Sequence, residues 1–351
     1  MNNWKKIGFS ALAGSLVSFS AASAGELTVS GAAEISYSNF TGNEDGAQVT
    51  NGGVGDVGTN FGKEQIITFA GSGELENGMT VSMSFYTLAN GGSGAATSTS
   101  ILSLDMGSMG TVSYSTKFGN IGIDKLDNVM PSAYEEVTDG PTIFASNRSS
   151  GATDVETDDL GGNAYELEIG CGFDYELAAN DMITLGLGYS ENGGCSTNDD
   201  GSVGGTDGAD NSTSVHAVVK PMDGLTLYAG KGEQQKNDGE TYAAVYSYGP
   251  VSVGYQYTEI DLNAANDEED SDSESTAASI AFAINENLSV SYGIWETEID
   301  TQSKDQEVSG FDIGYSMGGV GINAYRHKGE NMGGFANNES EKTEIRLSFA
   351  F

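Results

Sequence analysis

Apolar residues recur at every second position of this chain. Leu27, Val29, Ala33, Ile35 and Tyr37 alternate with Thr28, Ser30, Glu34, Ser36 and Ser38, the period of a strand with one apolar face. The pattern returns at 67–75, 81–85, 102–106, 112–114, 165–175 and 183–189. In the second half it recurs at 215–219, 225–227, 242–248, 251–257, 278–284, 288–294, 311–317, 320–324 and 345–351. The pattern predicts sixteen strands, an even number. Tight turns such as Glu76-Asn77-Gly78, Gly249-Pro250 and Gly318-Gly319 alternate with long polar loops. Seven connections are short and eight are long, and the order never breaks.

That alternation selects among all-β architectures. A transmembrane barrel puts its short turns on the periplasmic side and its long loops outside. A soluble sandwich alternates apolar and polar residues too, yet has no reason to gather every long loop at one end. In lipid only helices and closed barrels satisfy all backbone polar groups, and hardly any stretch here has helical spacing. The expected fold is therefore an all-β, antiparallel, sixteen-stranded transmembrane β-barrel. Tyr and Phe near strand ends (Tyr37, Tyr175, Tyr189, Tyr257, Tyr315, Phe351) suit the interfacial aromatic girdle of such a barrel.

The first residues add a compartment. Lys5 and Lys6 precede a mildly apolar stretch, 7–22, and Ala22-Ser23-Ala24 supplies an A-x-A cleavage signal. The stretch is shorter than the roughly 20 apolar residues of a spanning helix. The expectation is a cleaved signal peptide over 1–24 and a single barrel domain over 25–351. Charge narrows the partners. With 51 acidic residues against 14 basic ones the chain carries −37, which excludes a nucleic-acid binder. Its 16 Tyr and 14 Phe argue against disorder despite that acidity.

Three segments resemble a known family. Ile345-Arg346-Leu347-Ser348-Phe349-Ala350-Phe351 resembles the last strand of Gram-negative porins. The segments IITFAGSGELENG (66–78) and YEEVTDG (134–140) are similar to the second hairpin and third loop of alphaproteobacterial general porins. The resemblance implies a homotrimer of sixteen-stranded barrels in the outer membrane, each with its third loop folded inward as a constriction. It also implies that Ile345, Leu347, Phe349 and Phe351 are read by the outer-membrane assembly machinery, and that lipopolysaccharide is a neighbour. The third outer loop here, 117–163, is the longest, and a loop of that length in a compact domain points to function. The second outer loop, 90–97, is short and Gly-rich, which puts in doubt the latch that joins neighbours in similar porins.

Strand parity assigns side chains to the lumen. Glu34, Glu168, His216, Asp312 and Arg346 fall on the polar parity near mid-height, with Lys342 above them, and the third loop adds Asp124, Asp127, Glu135, Glu136 and Asp139. Two readings of Arg346 stay open. Together with Lys342 it faces the loop carboxylates across the constriction and sets up a transverse field, or it pairs with Glu34 where first and last strands meet. Either way lumen and loops are acidic, and a weak cation preference is expected. The acid runs 154–159 and 267–274 are dense enough to bind Ca²⁺ or simply to stay solvated, and no metal ligand can be assigned. Two cysteines in an exported chain permit one disulfide, but the expected register sets Cys171 and Cys195 apart and favours two separate thiols. No residues compose an active site: His216 and His327 lack metal-ligand spacing, and no nucleophile elbow or phosphate loop is present. The expected protein is a diffusion channel and not an enzyme. Its rivals are a structural or adhesive barrel plugged by its third loop, and a substrate-specific channel.

Overall fold

The computed structural model describes residues 27–44, 47–48, 58–90, 96–116, 120–141, 172–191, 211–234, 237–262, 272–300 and 302–351. The expected leader, Glu168, both cysteines, the acid run at 154–159 and most of that at 267–274 lie outside these residues. Sixteen strands carry the fold. The first half holds β1 (Leu27–Glu44), β2 (Gly58–Glu74), β3 (Thr80–Asn90), β4 (Ala96–Asp105), β5 (Thr111–Ser115), β6 (Gly172–Asn180), β7 (Ile183–Ser190) and β8 (Ser212–Met222). The second holds β9 (Leu225–Gln234), β10 (Asn237–Tyr248), β11 (Val251–Leu262), β12 (Ser273–Asn285), β13 (Leu288–Ile299), β14 (Gln306–Met317), β15 (Val320–Glu330) and β16 (Glu339–Ala350). A two-residue bridge, Ala47–Gln48, extends the connection after β1.

Each strand pairs antiparallel with its sequence neighbours, and β1 pairs with β16, so the sheet closes on itself. The closing register sets Ile35 opposite Leu347 and Ser36 opposite Arg346. Reciprocal backbone bonds between Gly31 and Phe351, 2.8 and 3.0 Å, finish the seam. Closure leaves no sheet edge, as a membrane span requires.

The two faces differ as the alternation predicts. Leu187, Tyr255, Ile294, Phe311 and Ile322 are exposed on the outer face, while their neighbours Gly188, Gln256, Trp295, Asp312 and Asn323 are buried on the other. An apolar belt of this extent would drive association in water; facing lipid it is satisfied. Among the described residues no helix is long and apolar enough to cross a membrane. Strands occupy the expected positions within the described residues, residues 165–171 of the sixth run lying outside them, but β1 and β2 run to 18 and 17 residues, longer than the roughly ten needed to cross lipid. Sequence parity loses its contrast where strands leave the membrane, so their outer ends were not legible.

Candidate constriction site

Residues 120–141 of the third long loop lie against the polar face of the strands, and the wall provides for them in two ways. The first is space. A Cβ on Gly230 would stand 3.0 Å from Ile123 and Leu126, one on Gly254 2.6 Å from Pro131, and one on Gly293 3.2 Å from Val137. Glycine at these inward positions admits the loop backbone at close range. Gly122 answers from the loop side: at φ +56° it takes a left-handed conformation, and a Cβ there would overlap the Ser214 hydroxyl.

The second provision is hydrogen bonding. Irregular backbone held away from water must find partners. Gly122 N–H donates to Asp174 Oδ1 at 2.9 Å and Ile123 N–H to Ser214 Oγ at 3.0 Å. Lys125 bonds Asp174 and stands 3.3 Å from Glu176, which in turn lies 3.7 Å from His216. Gln256, 1% exposed, donates through Nε2 to the Leu126 and Asp127 carbonyls at 2.8 and 2.7 Å and accepts Val129 N–H at 3.0 Å. Ser279 donates to the Pro131 carbonyl, and Ser291 accepts Ala133 N–H, each at 2.8 Å. His327 Nδ1 stands 2.7 Å from the Asp139 carbonyl. Beneath this lattice Leu126, Val129, Met130 and Val137 pack with Val245, Ala277, Trp295, Val308 and Met332 into an apolar cluster.

Charges concentrate where the loop meets the seam. Arg346 stands 2.8 Å from Glu344, 3.3 Å from Glu34 and 3.3 Å from Glu135. Lys342 lies 3.8 Å from Glu344. Tyr134 donates to Glu344 at 3.2 Å and lies under the Arg346 guanidinium, 5.3 Å from ring centroid to Cζ. Burial, then the Glu135 charge, pushes the Tyr134 phenol well above its ordinary value, so it remains a donor.

The two readings of Arg346 merge here. It pairs with Glu34 across the seam and with Glu135 of the loop at once. Of the two cations expected to face the loop carboxylates across the constriction, Arg346 contacts one of them, Glu135, directly, and Lys342 contacts Glu344 of the wall. His216 and Asp312 sit on the polar face but beneath the loop, 4% and 2% exposed. Asp124 is buried in the loop's first turn, Asp127 is exposed, and Asp139 Oδ2 accepts Glu136 N–H at 3.1 Å. Sequence reasoning missed Lys125, Gln256, Ser291 and His327. Parity already placed the last three inward; what it lacked was the path of the loop.

Opposite this half, β1 to β5 present a different wall. Thr28, Ser72, Ser82, Ser84 and Ser103 line an open cleft of about 320 Å³ with Ala70 and Ile101, and among the described residues no charged side chain lines it.

Comparison with known proteins places the chain. The family model described as Gram-negative porin matches residues 9–319. The chain belongs to the Gram-negative porin family. It is an outer-membrane β-barrel channel and not an enzyme. Among solved structures, the anion-selective porin from Comamonas acidovorans aligns at 13% identity with a TM-score of 0.67, covering 93% of this chain and 100% of that one. A multiply substituted Rh. blastica porin aligns at 17% identity and a TM-score of 0.60, again over 93% and 100%. A porin refined at 1.8 Å aligns at 15% and 0.60 with the same coverage. At these identities the likeness concerns the fold. No curated protein sequence matches the chain.

Proposed function

We propose that this porin is a water-filled diffusion channel for ions and small hydrophilic solutes, narrowed by residues 120–141 and weakly selective for cations. The observation that carries the selectivity is that, among the described residues, the cations at the segment are all paired with carboxylates. Arg346 contacts three carboxylates, Lys342 contacts Glu344, and Lys125 is held by Asp174 and Glu176. Carboxylates outnumber these cations, so the mean potential along the path favours positive ions. The uncharged cleft on β1 to β5 supports an open path beside the loop rather than a plug. The Comamonas porin is named anion-selective; selectivity depends on individual side chains, and at 13% identity it does not transfer.

The resemblance further supports a homotrimer whose last strand is read by the assembly machinery, with lipopolysaccharide around its outer rim. Ile345, Phe349 and Phe351 are exposed on the outer face, accessible to such a reader. Binding of Ca²⁺ by the acidic outer loops belongs to the same proposal.

Planar-bilayer recording of the refolded mature chain under a KCl gradient tests the reading. The expected result is stepwise open channels with a cation-biased reversal potential, and Glu135→Gln with Glu136→Gln moves it towards zero. An anion-biased potential overturns the selectivity. Silent bilayers with correctly folded barrels favour a plug.

A further inference from the structure

We propose that His327 and Asp312 form an ionised positioning pair, imidazolium and carboxylate, that fixes residues 133–139 of the loop. Neither residue touches solvent: His327 is 0% and Asp312 2% exposed. The inference deepens the constriction reading above and rests on it.

The argument counts protons. His327 Nδ1 lies 2.7 Å from the Asp139 backbone carbonyl, an oxygen that only accepts, so Nδ1 carries a hydrogen. His327 Nε2 lies 3.1 Å from Asp312 Oδ1. The other Asp312 oxygen, Oδ2, accepts the Ser291 hydroxyl at 3.2 Å, and Ser291 Oγ in turn accepts Ala133 N–H at 2.8 Å. Ser291 has one hydrogen and gives it to Asp312, so the carboxylate accepts on both oxygens when ionised. One hydrogen lies between Nε2 and Oδ1, and because imidazole is the more basic of the two groups Nε2 holds it and donates. Both ring nitrogens donate, which is the imidazolium.

The groups packed around the ring fit this charge. Tyr325 stacks on it at 4.3 Å between centroids and 19° between planes, placing a π-face against a cation. Gly310, its cross-strand partner on β14, leaves the room, since a Cβ there would overlap the imidazole. Among the described residues Lys342, opposite on β16, is the like charge facing it; its ammonium lies 5.8 Å from the Tyr325 centroid and 3.8 Å from Glu344. Asp139 itself turns its carboxylate to Glu136 N–H.

The result is one continuous circuit: loop residue 133, Ser291 on β13, Asp312 on β14, His327 on β15, and loop residue 139. It brackets Glu135 and Glu136, the carboxylates of the proposed constriction. Every member is paired only while the pair holds its proton. A neutral ring beside an ionised Asp312 would have to abandon either Asp139 or Asp312.

Nitrogen-15 NMR of the refolded full chain, labelled at its two histidines and assigned with His327→Phe, reads the ring directly at neutral pH. The expected native signal is a ring with two protonated nitrogens. In Asp312→Asn the ring is expected to carry one hydrogen, on Nδ1, because the carboxamide donates to Nε2 and accepts from Ser291. A singly protonated ring in the native barrel overturns the ionised pair. Single-channel recording tests the positioning role. Asp312→Asn is expected to keep the native reversal potential and quiet open level, while Asp312→Leu and His327→Phe shift the potential and add open-channel noise at unchanged heat-modifiable mobility. Native traces from both of the latter overturn that role, provided Glu135→Gln alters the current. If Glu135→Gln is silent as well, the constriction reading is what has failed.

Discussion

Gln256 concentrates the loop's dependence on single residues. One buried carboxamide serves two carbonyls and one N–H of residues 126–129, and also reaches Thr241 Oγ1 at 3.1 Å. Gln256→Leu fills similar volume but strands those groups, at about 1–3 kcal/mol for each that water cannot reach. The barrel ladder is untouched, so the loss falls on the loop. The expected outcome is faster proteolytic cleavage within 120–141 while the heat-modifiable barrel persists on gels. Gln256→Glu should do the same, since a carboxylate cannot donate to Leu126 and Asp127. Cleavage as slow as in the native chain would mean that the apolar cluster under the loop holds it alone. At this scale the sequence was legible as a face and no further. Parity put Gln256, Ser291 and His327 inward, yet an inward polar residue reads the same whether it meets water or a loop. The inward glycines become clearances only once the loop's course is known.

Strands were legible because each separates lipid from a polar interior, which stamps a period of two on about ten residues. The register between strands was not, and it has a consequence at the outer rim. On the outward face Glu240 stands opposite Glu259, Glu259 opposite Glu274, and Glu274 opposite Glu298. Glu296 likewise faces Glu307, Glu307 faces Glu330, and Asp238 faces Asp261. Like charges directly opposed across a sheet are destabilising, by a few tenths to about 1 kcal/mol per pair. Nearby cations relieve part of this: Lys328 bonds Glu330 at 2.5 Å and Lys231 lies 4.0 Å from Glu240, whereas Arg326 forks onto Glu341 at 3.0 Å outside the run of like pairs. Repulsion between exposed charges is screened as the Debye length falls from roughly 30 Å at 0.01 M salt to 3 Å at 1 M. The temperature of heat modification should therefore rise with KCl concentration over that range. A temperature that falls instead would assign the rim's stability to its few salt bridges.

The molecule as a whole has two unlike halves, and their difference bears on the proposed homotrimer. From β9 to β16 the inner wall is covered by the loop and the outer rim carries the opposed carboxylates. From β1 to β5 the described outward positions hold Leu27, Ile35, Ile67, Phe69, Phe85 and Leu102, with Lys63 as their one charged side chain. Phe69 and Phe85 stack there across two strands at 4.9 Å. Three copies meeting through the acidic half would juxtapose carboxylates on every contact, a cost of several kcal/mol for like charges. Meeting through β1 to β5 avoids it and leaves the acidic rims outward. The two arrangements answer salt in opposite ways. A trimer built on the uncharged half should persist in detergent at about 0.01 M salt, where Debye screening is weakest, and cysteine at Leu102 in a Cys171→Ser, Cys195→Ser background should cross-link copies while cysteine at Tyr292 should not. A trimer that falls apart at low salt and re-forms in KCl, with the cross-link at Tyr292, would put the carboxylate rim in the contact and reverse the assignment. The position of the contact also governs the pore. If β1 to β5 face a neighbour, the wall that carries the uncharged cleft is the wall that association stiffens, and the solute path runs beside the trimer axis rather than beside the lipid.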